Sequence, residues 1–524
     1  MTEVVPGARV PDVTVVVAVY NTMPYLTECL ASVLGQSIGT ERLELIAVDD
    51  GSTDGSGAEL DRWAARHPGT VTVLHQPNSG GPATPSNRAL DQATGRYVFF
   101  LGADDHLGPE ALERLVATAD ELDADIVLGR MAGANGRVVN QQVYRPGNRD
   151  AITLTDSALP WALSNTKLFR RSLIEEHAIR YPAEQRSGSD QPFTMRAVVA
   201  ARRIAVRADY TFYYAVRRHD ASNITYGTPV EGFLRDAQAL MDTAADVITD
   251  PAARERVHLR HFSWEVTKLL GERFLAATPE EQLRVQEGVR KLADAYLTEA
   301  IRDELEVFRR VPISVAQHGT VADIAAVARH YAKRHRSPIL IEGDACYARL
   351  PGFRDPAKGF PDAWYECRPA SRRRAPQSQL ATLRWGTGEG GGRALIMTWR
   401  DPVPGLGSHA RVTAGDAIAR TRLTPAGPLG PDVRAAFVLP ELVAPTHSRR
   451  RDRICYSWSP QDDADPPELT GVDLTGAGPI LYRRGLRFYA VHTDRDDSLR
   501  LGVVVNPATA RTLARRLVRT LRTR

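Results

Sequence analysis

Apolar positions recur along this chain with three different rhythms, and each predicts a different kind of domain. Up to about residue 225, short unbroken apolar runs alternate with segments of helical spacing. Residues 13–20, 43–48, 71–75, 97–101 and 125–129 read as strands buried on both faces, because a strand wetted on one side alternates apolar with polar. Residues 26–34, 58–65, 87–93 and 109–122 read as the helices between them. Strand and helix in turn predict an α/β domain over residues 1–227, with a largely parallel sheet and helices on both faces.

From residue 228 to 336 the rhythm is helical throughout, with helices expected over 230–248, 251–276, 279–308 and 319–335. One start is written in full: Thr278 is the N-cap, Pro279 takes the first helical position and Glu281 completes a capping box. Over residues 337–506 short β-like runs appear, such as 394–399, 486–491 and 501–505, separated by Gly and Pro. That pattern predicts a β-sandwich. Residues 507–524 place Leu513, Leu517 and Leu521 on one stripe with arginines around it, which predicts a basic amphipathic helix.

Composition adds bounds. The 524 residues are 43% hydrophobic and 25% charged, a composition of soluble proteins, and the length calls for more than one core. No apolar run reaches the ~18 residues of a spanning helix, and no signal peptide is visible at the N-terminus. Cys29, Cys346, Cys367 and Cys455 are scattered, without a CxxC pair, which argues against a metal site or disulfide framework and for a reduced, cytoplasmic setting. The net charge of +4 hides a tail in which residues 511–524 hold six arginines and no acid. Such a tail suits a peripheral contact with the anionic inner face of the plasma membrane. The knots at 372–374 and 449–451 read as solvated surface, and no nucleic-acid partner is expected.

The chemistry sits in the first domain. Two apolar runs end in paired carboxylates, Ala47-Val48-Asp49-Asp50-Gly51-Ser52 and Phe99-Phe100-Leu101-Gly102-Ala103-Asp104-Asp105. Sheets of this class bind ligands beyond the carboxyl ends of their strands, so both pairs should stand at one edge. Paired carboxylates there suit a divalent metal, and a metal suits a diphosphate leaving group. Tyr20-Asn21 ends the first strand, and Asn78-Ser79-Gly80-Gly81-Pro82 opens a loop after the third, ahead of Ser86-Asn87-Arg88. Later, Ser189-Asp190-Gln191-Pro192-Phe193 precedes a helical run.

Taken in order, these strings resemble those of the family 2 inverting glycosyltransferases: V-P-x-Y-N, V-D-D-G-S-x-D, N-x-G with a following A-R-N or P-R-N, F-L-D-x-D-D, and E-D-x-x-F. The resemblance implies the GT-A nucleotide-sugar-binding fold and a UDP-sugar donor. It implies that Asp50, with Asp49 nearby, holds uracil and ribose, that Tyr20 packs on the base, and that Ala18, Asn21, Asn78 and Ala103 belong to the same site. The Gly80-Gly81 loop and the helix start near Asn87 would approach the diphosphate. Asp104, with Asp105, would hold Mn2+ or Mg2+, and Asp190 would be the general base. Two departures stand out. Gly102 replaces the first carboxylate of the family's D-x-D, leaving Asp105 or water to compensate, and Ser86 replaces an arginine, with Arg88 the substitute at hand. Lys167-Leu168-Phe169-Arg170 resembles the stretch that forms the acceptor side. Residues 213–223 resemble a later loop whose Arg218, His219 or Ser222 reaches the diphosphate.

The order of the three parts is similar to that of the poly(ribitol-phosphate) β-N-acetylglucosaminyltransferases of wall teichoic acid, which carry an immunoglobulin-like C-terminal region. The resulting expectation is an inverting, metal-dependent transfer, of GlcNAc foremost, from a UDP-sugar to a hydroxyl of a polyanionic or glycan polymer such as a polyol-phosphate teichoic acid. A homo-oligomer formed through the C-terminal domain is expected with it. Transfer onto a capsular or lipid-linked saccharide is the alternative within the class. A catalytically decayed glycan-binding or scaffold protein is the alternative from another class, kept open by Gly102 and Ser86. A nucleotidyltransferase would want a Gly-rich loop with Lys or Arg after the first strand, where this chain has Asn21-Thr22-Met23-Pro24.

Overall fold

Strand β1 (Val13–Val19) shows why the first apolar run is unbroken. Val13, Val15, Val17 and Val19 enter one core and Val16 enters another, on the opposite face of the sheet. Successive side chains of a strand point to opposite faces, so a sheet covered on both sides needs apolar residues at every position. In the computed structural model β1 is followed by α1 (Tyr25–Leu34), β2 (Leu43–Asp49), α2 (Ser56–Arg66), β3 (Val71–His75), α3 (Ala83–Leu90), β4 (Tyr97–Phe100), β5 (His106–Leu107), α4 (Ala111–Leu122), β6 (Ile126–Gly129), β7 (Met131–Ala134), β8 (Leu168–Arg170), α5 (Arg171–Glu176), α6 (Asp190–Ala200), β9 (Ile204–Arg207) and β10 (Tyr213–Val216). The residues described are 10–185, 188–218, 230–332, 339–342, 345–367, 379–388, 391–400, 411–414, 417–424, 432–443, 450–457, 480–484, 487–495 and 501–507.

The main sheet has the order β3-β2-β1-β4-β8-β6-β9. All of its pairs are parallel except those of β8, which runs antiparallel to β4 and β6. The α/β reading therefore holds, with one reversed strand that is three residues long, too short to show a period. A second, smaller sheet has the order β5-β10-β7. Register aligns the ends that matter. Val19 faces Asp49, Asp49 faces His75, and Val16 faces Phe100, so β1 to β4 finish at one edge. Helix α3 begins at Ala83, earlier than the expected start at residue 87, with Pro82 at the N-cap position and Pro85 tolerated in the first turn.

The helical part contains α7 (Val230–Val247), α8 (Pro251–His261), α9 (Glu272–Ala276), α10 (Pro279–Tyr296), α11 (Glu299–Glu304), α12 (Val307–His318) and α13 (Val321–Ala332). The expected helix over 251–276 is interrupted: a π-helical turn, Phe262–Val266, follows α8, and the chain leaves helical geometry at Gly271. The expected helix over 279–308 is also broken. It stops at Tyr296, and the Thr298 side chain accepts from the Ile301 N–H to start α11.

The chain divides into two compact units, residues 1–305 with 312–328, and residues 306–311 with 329–524. In the second unit, antiparallel strands Gln379–Thr387, Arg393–Arg400, Asp432–Val438 and Arg420–Thr424 form one sheet in that order. Strands Ala417–Ile418, Arg411–Ala414, Arg450–Ser457, Leu501–Pro507, Arg487–Arg495 and Ile480–Arg484 form another. Leu395, Met397 and Phe437 of the first sheet share an apolar core with Val412, Val491 and Val503 of the second. Of the expected basic helix over 507–524, residue 507 ends a strand and residues 508–524 lie outside the described residues. No described helix is long and apolar enough to cross a membrane.

Candidate active site

The shared strand edge opens into a cavity of about 850 Å³. Its walls include Ala18, Tyr20 and Asn21 from the end of β1, Asp50 after β2, and Asn78 and Gly80 after β3. Ala103, Asp104 and Asp105 after β4 and Arg218 after β10 also line it. Most of the expected donor-site residues thus meet in one place. Tyr20 offers a ring that is 47% exposed, free to take a planar ligand. Asn21 adopts φ 49°, a left-handed geometry that Asn tolerates, and its Oδ1 accepts from the Thr53 N–H at 2.8 Å. That bond ties the loop after β1 to the loop after β2.

Asp50 is built in from the side of β3. Its carboxylate accepts from Gln76 Nε2 at 2.6 Å, from the Ser79 N–H at 3.0 Å and from Ser79 Oγ at 2.9 Å. Gly51 permits the approach of this loop. It has φ 77°, and a Cβ there would stand 2.8 Å from the Asn78 nitrogen. Three other expected residues are not among those that line the cavity. Asp49 lies behind Asp50, bonded to the Ser52 N–H at 2.9 Å and to His75 Nδ1 at 3.0 Å. Asn87 exchanges two hydrogen bonds with the Tyr181 backbone, at 2.9 and 2.8 Å. Arg88 donates to the His75 carbonyl at 2.7 Å, at the end of β3. The helix N-terminus at the cavity belongs to Pro82 and Ala83 instead, so any diphosphate contact from α3 comes from there. His219 and Ser222 lie outside the described residues.

The acidic pair after β4 splits into two environments. Asp105 is buried, accepting from Tyr213 Oη at 2.5 Å and from the Val216 N–H at 2.7 Å. Burial and the neighbouring Asp104 push its pKa up to about 6. The departure at Gly102 follows from this packing: a Cβ there would meet Asp105 Oδ2 at 2.7 Å and Tyr213 Oη at 3.1 Å. The side chain of Asp105 fills the space a residue at 102 would use. Asp104 faces the cavity, and its Oδ2 accepts from Arg218 Nε at 2.7 Å. Among the described residues no group of three or more His, Cys, Asp and Glu could hold an ion unaided. Mg2+ or Mn2+ fits this arrangement in one way, through Asp104 together with donor oxygens and water, since such ions commonly take one or two carboxylates plus substrate phosphates.

A second cavity, of about 350 Å³, shares Ala18, Pro82, Gly102, Asp105 and Arg137 with the first. It also contains Ser164, Asn165, Thr166, Tyr181, Ser189 and Asp190. Asp190 opens α6, where the helix N-terminus favours a carboxylate. Burial pushes its pKa up, while Arg260 and Lys167 oppose the shift. The helical part backs this site. Gln191, next in the chain, accepts from Arg260 Nη1 at 2.7 Å and from His261 Nε2 at 3.3 Å, and Arg260 pairs with Glu265 at 2.6 Å.

Residues 14–178 match the sequence model of glycosyl transferase family 2, and residues 230–328 match that of the glycosyl transferase TarS linker domain. Residues 14–178 are a family 2 glycosyltransferase domain. The poly(ribitol-phosphate) beta-glucosyltransferase of Bacillus spizizenii is 34% identical over 260 residues, which is 49% of this chain and 41% of that protein. The poly(ribitol-phosphate) beta-N-acetylglucosaminyltransferase TarS of Staphylococcus aureus is 34% identical over 259 residues, 48% of this chain and 45% of that protein. The matches therefore span less than half the length of these two relatives. The crystal structure of S. aureus TarS 1-349 in complex with UDP-GlcNAc superposes with a TM-score of 0.56 at 28% identity, covering 65% of this chain and 97% of that one. The crystal structure of S. aureus TarS covers 95% of this chain and 86% of that one, with a TM-score of 0.59 at 20% identity, a likeness of fold alone.

Sequence reasoning passed over several residues that build the site. Gln76 and Ser79 hold Asp50, and Tyr213 holds Asp105. Arg137 stands between the two cavities, donating to the Val216 carbonyl at 3.0 Å. It follows β7, in a stretch with no recognisable string, and nothing in its neighbours along the chain marks it.

Proposed function

We propose that this protein is an inverting glycosyltransferase that moves a sugar, GlcNAc foremost, from a UDP-sugar to a hydroxyl of a polyol-phosphate polymer. The observation that carries the reading is the pair of adjoining cavities. One holds the nucleotide-type groups Asp50 and Asp104, and the other holds the half-buried carboxylate of Asp190. Inversion needs a base on the face of the sugar opposite the leaving group, and a carboxylate across a shared wall supplies one. Asp50 and Tyr20 hold the uridine, and the amides at Gly80 and the start of α3 receive the diphosphate. A divalent cation on Asp104 would neutralise charge on the departing UDP. The acceptor class is suggested by the relatives, which are named for poly(ribitol-phosphate), and the donor by the TarS complex with UDP-GlcNAc. The two-sheet C-terminal region is read as an immunoglobulin-like sandwich of the kind that assembles oligomers.

Asp190→Asn tests the reading. It keeps the size of the side chain and removes the base, and transfer should fall by ~10²–10⁴-fold while UDP affinity stays near that of the wild type. Transfer within a few-fold of wild type would remove Asp190 from the mechanism. A panel of UDP-sugars, scored by UDP release with Mn2+ and poly(ribitol phosphate), identifies the donor. No release with any sugar would favour the glycan-binding alternative.

A further inference from the structure

Carboxylates of Asp50, Asp54, Asp104 and Asp105 line the larger cavity, and the chain itself supplies a partner to each. Asp50 is held by Gln76 and Ser79, and Asp105 by Tyr213 and the Val216 N–H. Asp54 accepts from the Met23 N–H at 2.8 Å and from the Ser56 N–H at 2.9 Å. The hydrogen-bond donors to these three are neutral groups, although Arg137 comes within 3.7 Å of Asp105. Asp104 differs: the Arg218 guanidinium donates to it, with Nε 2.7 Å from Oδ2. Only 16% and 13% of the two side chains are exposed, so water and salt screen this pair weakly. The position of Arg218 is fixed on both sides. The Val216 N–H bonds to Asp105 and the Val216 carbonyl accepts from Arg137 at 3.0 Å, which secures the end of β10 two residues before the arginine. Arg218 Nη1 donates to the Asn21 carbonyl at 3.3 Å, after β1. The arginine thus reaches from β10 to the ends of β1 and β4, both of which line the cavity.

A guanidinium bonded to a carboxylate and a divalent cation compete for the same oxygens and the same charge. Neighbouring acids do not relieve the competition. Gly102 has no side chain, Asp105 is turned to Tyr213, and among the described residues no group of three or more His, Cys, Asp and Glu could hold an ion. One carboxylate shared with an arginine is a poor site for an ion by itself. A nucleoside diphosphate changes both sides of the balance. Its oxygens add ligands for the ion, and its charge offers the guanidinium another anion, since arginine pairs with phosphate as readily as with carboxylate. We infer that Arg218 is a stand-in cation on Asp104: it keeps the carboxylate from taking a divalent ion alone, and yields it when the ion arrives with the diphosphate of the donor. Binding of ion and donor is then coupled through this one arginine. The inference rests on the reading of Asp104 as the ion's carboxylate.

Mn2+ binding to the full chain, followed by water-proton relaxation with and without UDP, tests it. The wild type should bind Mn2+ weakly alone and about tenfold or more tightly with saturating UDP. Arg218→Gln removes the competing charge, so its affinity for Mn2+ alone should rise by about tenfold. Adding Asp104→Ala to that variant should abolish the gain, which ties it to the one carboxylate. If Arg218→Gln binds Mn2+ alone no better than the wild type, the arginine does not compete and the inference is overturned, with Asp104 still the ion's carboxylate. A gain that survives Asp104→Ala would place the ion elsewhere and overturn it as well. Arg218→Met supplies the same comparison should Arg218→Gln fail to fold. The reading of Asp104 fails by a different result: wild-type Mn2+ binding that UDP does not strengthen, or a strengthening that Asp104→Ala alone retains, removes the ion from Asp104 and takes the inference with it.

Discussion

At the residue scale the site combines groups that short strings announce with groups that only burial and direction define. Asp50, Asp104 and Asp190 were legible because each follows or opens a regular element, and the element fixes where it stands. The direction of Arg88 was not legible. A helix two turns long lets an arginine reach either the cavity or the neighbouring strand, and here it reaches the His75 carbonyl. Asp104→Ala should abolish the response of UDP affinity to Mn2+ in calorimetry, because the proposed protein contact to the ion is gone. An unchanged response would place the ion elsewhere. His75 offers a pH test. Its ring bridges Asp49 and Asp61 at 3.0 Å each, and these bonds raise its pKa above 6.5. A histidine raised on folding contributes stability that is complete below the unfolded pKa and is lost as pH climbs through the folded one. The difference in thermal midpoint between wild type and His75→Ala should therefore be largest near about pH 6 and shrink in alkaline buffer. The ring is half exposed, so the effect is small.

At the scale of elements, complete local signals were reliable and partial ones were not. Thr278, Pro279 and Glu281 predict the start of α10, and the structure has both bonds of the box, Thr278 N–H to Glu281 Oε2 at 2.8 Å and Glu281 N–H to Thr278 Oγ1 at 3.3 Å. Thr278→Ala should cost about 1 kcal/mol in urea unfolding; a loss near zero would mean that packing alone sets this end. Thr298 caps α11 in the same way, yet position N3 there is Ile301, so half the signal was missing and the break passed unseen. The π-helical turn after α8 was likewise invisible, since one extra residue in a turn barely disturbs an apolar period. It lies beside the residues that hold Gln191.

At the scale of the whole molecule, the division into two units predicts that a chain ended at residue 332 keeps the donor chemistry. Such a chain should bind UDP as the full chain does. It should sediment as a monomer, while the full chain sediments as a closed oligomer assembled through the β-rich unit. Equal oligomers from both would refute that role for the C-terminal region. By itself the sequence determined the alternation of strand and helix, the edge at which the carboxylates gather and the place of Asp190 at the start of a helix, because periodicity and strand ends are local properties of the chain. Only the tertiary structure decided that Asp105 turns inward to Tyr213, that Gly102 is bare because Asp105 fills its space, and that Lys167 is buried with its Nζ on the Ser164 carbonyl. Asp105 and Tyr213 stand 108 positions apart in the chain, and they meet in a low-dielectric interior, where burial and pairing set the charge of each group.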